Sequence, residues 1–214
     1  PTKSQMDAFQ NAYEKLLPPL VYKIRLAVAK WRDENYAGAS DTTKSLFNFW
    51  FNQEHLIGQT KFSFFFSQRE AIESIVYLYE IANAKDKYEL MKFDSSGRIS
   101  TGMFDENWTR YVVKMATGAG KTKVMGLTLV WSYFHKLYEA NSTLSKDFLV
   151  IAPNIIVLNR LRKDFYGLKM FFDEPFITDN GFDDKDWKND FQLTLHIKDD
   201  LKPITESGNI FLTN

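Results

Sequence analysis

Apolar residues recur at helical spacing through the first part of the chain. Met6, Phe9, Tyr13, Leu16 and Leu17 set the period, Pro18 and Pro19 interrupt it, and Leu20, Ile24, Val28 and Trp31 resume it. Gly38, Ala39 and Ser40 make a break, after which Asp41 or Thr42 is placed to cap a third helix carrying Leu46, Phe47, Trp50 and Phe51. The aromatic run 62–66 reads as extended. Ser67 looks like a cap for a helix over 68–84, whose apolar face is Ala71, Ile72, Ile75, Val76, Leu78 and Tyr79. Residues 92–109 are polar and contain glycine, which predicts a loop.

From residue 110 the pattern changes to alternating strand and helix. Residues 111–115 read as a short strand, 116–120 as a turn of small residues, and 121–137 as a helix. The continuous apolar run 147–152, closed by Pro153 and Asn154, suits a strand buried on both faces. A basic amphipathic helix follows over 155–170, then an acidic loop over 173–190, then strand candidates at 192–197 and 209–213. Such alternation predicts an α/β domain with a parallel sheet, flanking helices and right-handed crossovers, preceded by an N-terminal helical segment. The boundary is set at 57/58.

Composition narrows the class. An apolar fraction of 44% and a charged fraction of 25% are ordinary for a globular chain, and 19 Phe, 10 Tyr and 5 Trp argue against disorder. The formal net charge is zero, whereas a stand-alone nucleic-acid binder usually carries a basic surplus. Any nucleic-acid contact must then come from a local patch or from other parts of the protein. With no cysteine, disulfides and thiolate metal sites are excluded, which suits a reducing cytoplasm. His55, His135 and His196 lack metal-type spacing and read as packed or surface residues. The sequence shows no secretory signal and no apolar run of the ~20 residues that a bilayer-spanning helix needs. It starts at Pro1 and stops in an apolar run, and both ends are read as cut.

The chemistry concentrates at Met115-Ala116-Thr117-Gly118-Ala119-Gly120-Lys121-Thr122. A triphosphate needs many donors in a small space. A glycine-rich turn opening onto a helix supplies them as backbone N–H groups of Gly118, Ala119, Gly120 and Lys121, with the positive end of the helix dipole behind. Lys121 is placed to reach the β- and γ-phosphates, and the Thr122 hydroxyl to ligate Mg²⁺. The strict pattern has glycine where Met115 stands; the Thr-Gly-x-Gly-Lys-Thr core is intact.

These residues resemble motif I of superfamily 2 helicases, and Met at the first position is similar to what restriction-enzyme motor subunits carry. Residues 125–136 (MGLTLVWSYFHK) continue a resemblance to the Res subunit of type III restriction enzymes and related DEAD/DEAH-box proteins, over roughly residues 60–214. Residues 148–165 look like motif Ia, and SQREAI at 67–72 looks like the glutamine-containing segment ahead of motif I. The resemblance implies a partial RecA-like P-loop domain over 58–214, ATP and Mg²⁺ as cofactors, and nucleic acid, double-stranded DNA in particular, as partner. It implies that Thr117, Gly118, Ala119, Gly120, Lys121 and Thr122 hold the nucleotide and that Gln68 reads the adenine edge, with one of Phe64, Phe65 and Phe66 a lesser candidate for stacking beside core packing. Pro153, Asn154, Arg160, Arg162 and Lys163 would meet nucleic-acid phosphates, as would Thr213 and Asn214. A methyltransferase-type specificity subunit is an implied partner. No Asp-Glu-x-His or Asp-Glu-x-Asp run follows motif I; Asp183–Asp184 and Asp199–Asp200 are read as lacking a strand ahead of them. The acidic motif is expected past Asn214, so these residues alone are expected to be inactive. Two other classes remain: a P-loop kinase or signalling ATPase, and an interaction module using residues 1–57.

Overall fold

The computed structural model describes residues 3–100, 102, 108–200 and 202–214, with the side chains of 4, 9–11 and 13–15 also outside the description. Phe9 and Tyr13, named above on the first helix, fall among those side chains, and part of the 92–109 loop falls in the gaps. The described helices and strands form an α/β chain of the partial RecA-like kind: a parallel sheet with flanking helices, preceded by helices.

The chain divides into two compact units. One contains residues 1–39 and 66–119, the other 40–65 and 120–214.

In the first unit, α1 (Lys3–Leu16) and α2 (Val21–Asp33) precede α4 (Phe66–Val76), which runs into a π-helical turn (Tyr77–Ile81), and then α5 (Lys87–Met91). Val28 and Trp31 turn inward from α2 as its periodicity predicts, whereas Met6 and Leu16 of α1 are exposed. Helix α4 starts at Phe66, so Ser67 lies inside it rather than capping it. Residues 111–115 do not form the expected strand. Val112 and Val113 are exposed, and among the described residues no neighbouring strand takes up the N–H and C=O groups of this stretch, without which a β-branched run stays extended but outside a sheet.

In the second unit, α3 (Asp41–Asn52) leads to a hairpin of β1 (His55–Ile57) and β2 (Thr60–Phe62). The α3 cap is Ser40, whose hydroxyl accepts the Thr43 N–H at 3.2 Å, one residue ahead of the predicted cap. Then come α6 (Lys121–Tyr138), β3 (Asp147–Ile151), α7 (Ile155–Phe165), α8 (Lys169–Asp173), α9 (Trp187–Asp190), β4 (Thr194–Ile197) and β5 (Asn209–Thr213). The predicted single helix over 155–170 breaks at Gly167 and Leu168, both at positive φ. The described strands β3, β5 and β4 form a parallel sheet in that order. Helix α6 is the hub. Leu127, Val130, Trp131 and Phe134 are buried on it, the Trp131 indole donates to the Thr43 hydroxyl at 2.9 Å, and a Cβ on Gly126 would come within 2.7 Å of Met170 and Phe176. Strand β3 departs from expectation: Val150 is buried, but Leu149 and Ile151 are 64% and 66% exposed on the opposite face. A run of apolar residues cannot distinguish a strand covered on both faces from one covered on a single face.

Candidate nucleotide-binding site

The stretch 115–122 turns and then enters α6 at Lys121. Gly118 (φ 81°) and Gly120 (φ 80°) flank Ala119 in the left-handed region, where a Cβ costs energy. An added Cβ at Gly118 would touch nothing within 4 Å, so glycine is required there by backbone conformation rather than by space. Gly120 is the N-cap of α6 and brings no side-chain oxygen to its first-turn N–H groups; the Lys123 N–H instead returns to the Gly120 carbonyl at 2.9 Å. A helix start whose cap carries no competing side chain favours an anion. The loop itself is accessible: Thr117, Gly118 and Lys121 are exposed, Ala119, Gly120 and Thr122 half-buried. These residues fit a polyphosphate and its Mg²⁺, with two hydroxyls, one ammonium and a cluster of main-chain amides within six positions.

Two basic residues lie in the first turn of α6. The Lys123 ammonium pairs with Glu174 and sits 4.9 Å from the centre of the Phe62 ring. Lys121, at the helix start, is exposed.

Gln68 is only 2% exposed, and its side-chain N–H donates to the Ala119 carbonyl at 3.0 Å. The glutamine singled out by its position ahead of motif I therefore touches the phosphate loop directly, across 51 residues of sequence. Of the three phenylalanines ahead of it, Phe64 packs against Phe51, Phe62 and Phe176. Phe65 and Phe66 are exposed, and the Arg32 guanidinium lies 5.4 Å from the Phe66 ring centre, so core packing does not extend to these two.

Behind Gln68 lies a group that sequence reasoning missed. Glu73 is fully buried and receives Arg32, Arg69 and Tyr36 together. Burial first, then the hydrogen bond to Glu73, pushes the Tyr36 phenol up to about 12. The Glu73 hydrogen bond raises Arg32 as well. The available signal was a carboxylate on the apolar side of a helix, four residues after an arginine.

At the other suspected contact, Asn154 caps α7, its side-chain oxygen accepting the Val157 N–H at 3.0 Å. Pro153, Asn154, Arg160, Arg162 and Lys163 are all exposed. Helical spacing places Arg160 and Lys163 on one outward face with Ile156, and Arg162 on a different side. Asp199–Asp200 do follow a strand, β4, contrary to the sequence expectation. The Asp200 N–H returns to the Ile197 carbonyl at 2.9 Å in a tight turn, and both side chains are exposed. Asp183–Asp184 sit at positive φ in a 3-10 turn.

A glycine-rich loop that opens directly onto a helix in an α/β chain is an arrangement suited to binding phosphate. The family model "Type III restriction enzyme, res subunit" matches residues 61–213. The chain belongs to that family, whose members carry an ATP-dependent, helicase-like motor domain, generally use ATP with Mg²⁺, and act on nucleic acid. No curated protein and no solved structure matches the chain. Among the described residues no helix is long and apolar enough to cross a membrane.

Proposed function

We propose that this chain is the ATP-binding portion of a DNA-directed motor of the restriction type, either a translocase or a helicase, working in the cytoplasm on double-stranded DNA. In this reading residues 58–214 belong to the first motor domain and residues 1–57 are a helical segment ahead of it. The observation that carries the reading is the loop at 117–122. Two left-handed glycines surround Ala119, and Lys121 stands exposed where α6 begins. Gly118, Ala119, Gly120 and Lys121, next to Thr117, would offer main-chain N–H groups to the phosphates, Lys121 its ammonium as well, and Thr122 its hydroxyl to Mg²⁺. The bound ion neutralises phosphate charge and orients the oxygens. Gln68 would read adenine, its amide carrying both the N–H donors and the acceptor oxygen that a bidentate base contact uses.

Pro153 and Asn154, with Arg160, Arg162 and Lys163 on α7, would meet the DNA backbone, Arg160 and Lys163 as a pair on one face. These are phosphate contacts and carry no sequence preference of their own. A methyltransferase-type subunit is the partner this reading expects to supply recognition.

The decisive experiment is Lys121→Ala in the intact protein that carries this chain. DNA-stimulated ATP hydrolysis should fall by on the order of 100-fold or more, the scale seen when a preorganised charge-stabilising group is removed. Hydrolysis surviving unaltered would refute the assignment of the loop. Hydrolysis indifferent to DNA would point instead to a kinase or signalling ATPase. The 214 residues by themselves are expected to turn over no ATP, because neither an acidic magnesium motif nor an arginine finger has been found in them.

A further inference from the structure

We propose that the buried ring formed by Arg32, Tyr36, Arg69 and Glu73 positions Gln68, and so sets the base selectivity of the nucleotide site. The proposal rests on the reading of Gln68 as the adenine-contacting residue and extends it to four residues, of which only Arg69 lies in the SQREAI segment.

The ring is closed. The Arg32 Nε lies 3.0 Å from each Glu73 carboxylate oxygen, and its Nη2 reaches Oε2 as well. The Arg69 Nε donates to Oε1 at 2.8 Å. The Tyr36 hydroxyl donates to the same oxygen at 2.6 Å and accepts from Arg69 Nη2 at 2.7 Å. Arg32 comes from the last turn of α2, Tyr36 from the turn after it, and Arg69 and Glu73 from α4. A fully buried carboxylate is tolerated only when its lone pairs are satisfied, which makes this contact directional in a way that apolar packing is not.

A second, independent observation points the same way. Asn35 and Tyr36 both adopt left-handed backbone, at φ 51° and 56°. That conformation is unfavourable for a bulky aromatic residue and persists only where the surroundings enforce it. Here it brings the phenol to Glu73, with the Trp31 ring edge-on at 5.0 Å. The turn holds strain in order to complete the ring.

What the ring controls follows from helix geometry. Arg69 and Glu73 are four residues apart on the α2-facing side of α4, while Gln68 and Ile72 occupy the neighbouring side and are buried. The ring thus fixes the rotation of α4 about its axis. A rotation of about 20° would move a side-chain tip roughly 6 Å from that axis by about 2 Å. The 3.0 Å bond from Gln68 to Ala119 could not survive such a shift. Alignment of the base-reading amide with the phosphate loop therefore depends on a carboxylate one and a half turns farther along α4, and on a helix some 40 residues earlier.

The test uses the intact protein carrying this chain, with steady-state hydrolysis of ATP and GTP in the presence of DNA. Gln68→Ala sets the limit: it should reduce the ATP-over-GTP ratio of kcat/KM by about tenfold. Tyr36→Phe, which removes one hydroxyl, and Glu73→Gln, which removes the charge, should each reduce that ratio by about fivefold through KM for ATP, leaving KM for GTP in place. Should Glu73→Gln not fold, Tyr36→Phe and Arg69→Lys carry the test. If Gln68→Ala collapses the ratio while the ring variants leave it intact, or raise KM for both nucleotides alike, the ring is only a staple between helices and the proposal is overturned alone. If Gln68→Ala leaves the ratio unchanged, or the wild type shows no preference, the base reading fails and the positioning proposal goes with it.

Discussion

The two compact units hold their nucleotide-site elements by different physics. In the first, α4 is oriented by a buried carboxylate, two guanidiniums and a phenol. In the second, α6 is held by aromatic and aliphatic side chains. Phe134 is flanked by Trp187 at 4.6 Å, Tyr138 at 5.5 Å and Phe191 at 5.6 Å, and the polar links run from separate side chains, the Trp131 indole, the Tyr133 phenol, the Ser132 hydroxyl and the Lys123 ammonium among them, rather than to one shared buried charge. Apolar packing resists translation and fills volume but tolerates small rotations, whereas a satisfied buried charge fixes angles at the cost of desolvation. On the proposed reading of the site the difference suits the parts: the start of α6 would need only a helix terminus at the loop, while α4 would have to aim one amide.

Four measurements would break or sharpen that contrast. The largest effects come from removing the centre of each network. Phe134→Ala should cost about 3–5 kcal/mol of folding stability, the usual scale for emptying a buried aromatic site, with little dependence on pH or salt. Glu73→Ala should cost a similar ~3–5 kcal/mol because it strands two arginines. Combined replacement of Arg32, Arg69 and Glu73 by apolar residues of similar volume should recover most of that loss while leaving ATP selectivity impaired. Denaturant unfolding of the three proteins decides the matter, and a combined variant no more stable than Glu73→Ala would show that the ring is energetically favourable in itself.

The third effect is smaller and confined to alkaline pH. The Tyr36 phenol, ordinarily near 10.0, is raised to about 12 by burial and by Glu73. Its contribution to stability is therefore fully present below about pH 10 and is lost as the pH rises through about 12. Burial raises the half-buried Tyr111 phenol to about 12 as well. The informative quantity is thus the difference between wild type and Tyr36→Phe, whose stability-against-pH curve should be flatter over that window. Identical slopes would remove Tyr36 from the charged network.

The smallest effects concern helix caps. Ser40→Ala and Asn154→Ala each delete a side-chain acceptor for a first-turn N–H and should each cost about 1 kcal/mol. Asn154→Ala should in addition weaken DNA binding of the intact protein, and Ser40→Ala should not. A DNA-binding loss shared equally by both would assign the Asn154 effect to folding alone.

Much of the architecture was legible from local pattern. The helices of residues 21–33 and 121–138 and the strands at 147–151, 194–197 and 209–213 follow their periodicity closely, because intrahelical bonds and pleat alternation are decided by near neighbours. The helix predicted over 155–170 was legible only to Phe165, since a left-handed pair at 167–168 ends it. At the candidate site, the sequence singled out Gln68 by its position ahead of the loop. Its bond to the loop was not, and neither was the ring behind it, because nothing within a few residues of Glu73 announces Arg32 or Tyr36.

By itself the sequence determined the local shape of residues 117–122, left-handed glycines at 118 and 120 followed by a helix start at Lys121, because both features are local. Tertiary structure alone decided that residues 111–115 stay outside a sheet, that Leu149 and Ile151 face outward, and that a carboxylate on α4 is buried against arginines from α2 and from α4 itself. Each of these depends on a partner distant along the chain, and the free energy of pairing or burial exists only once that partner has arrived.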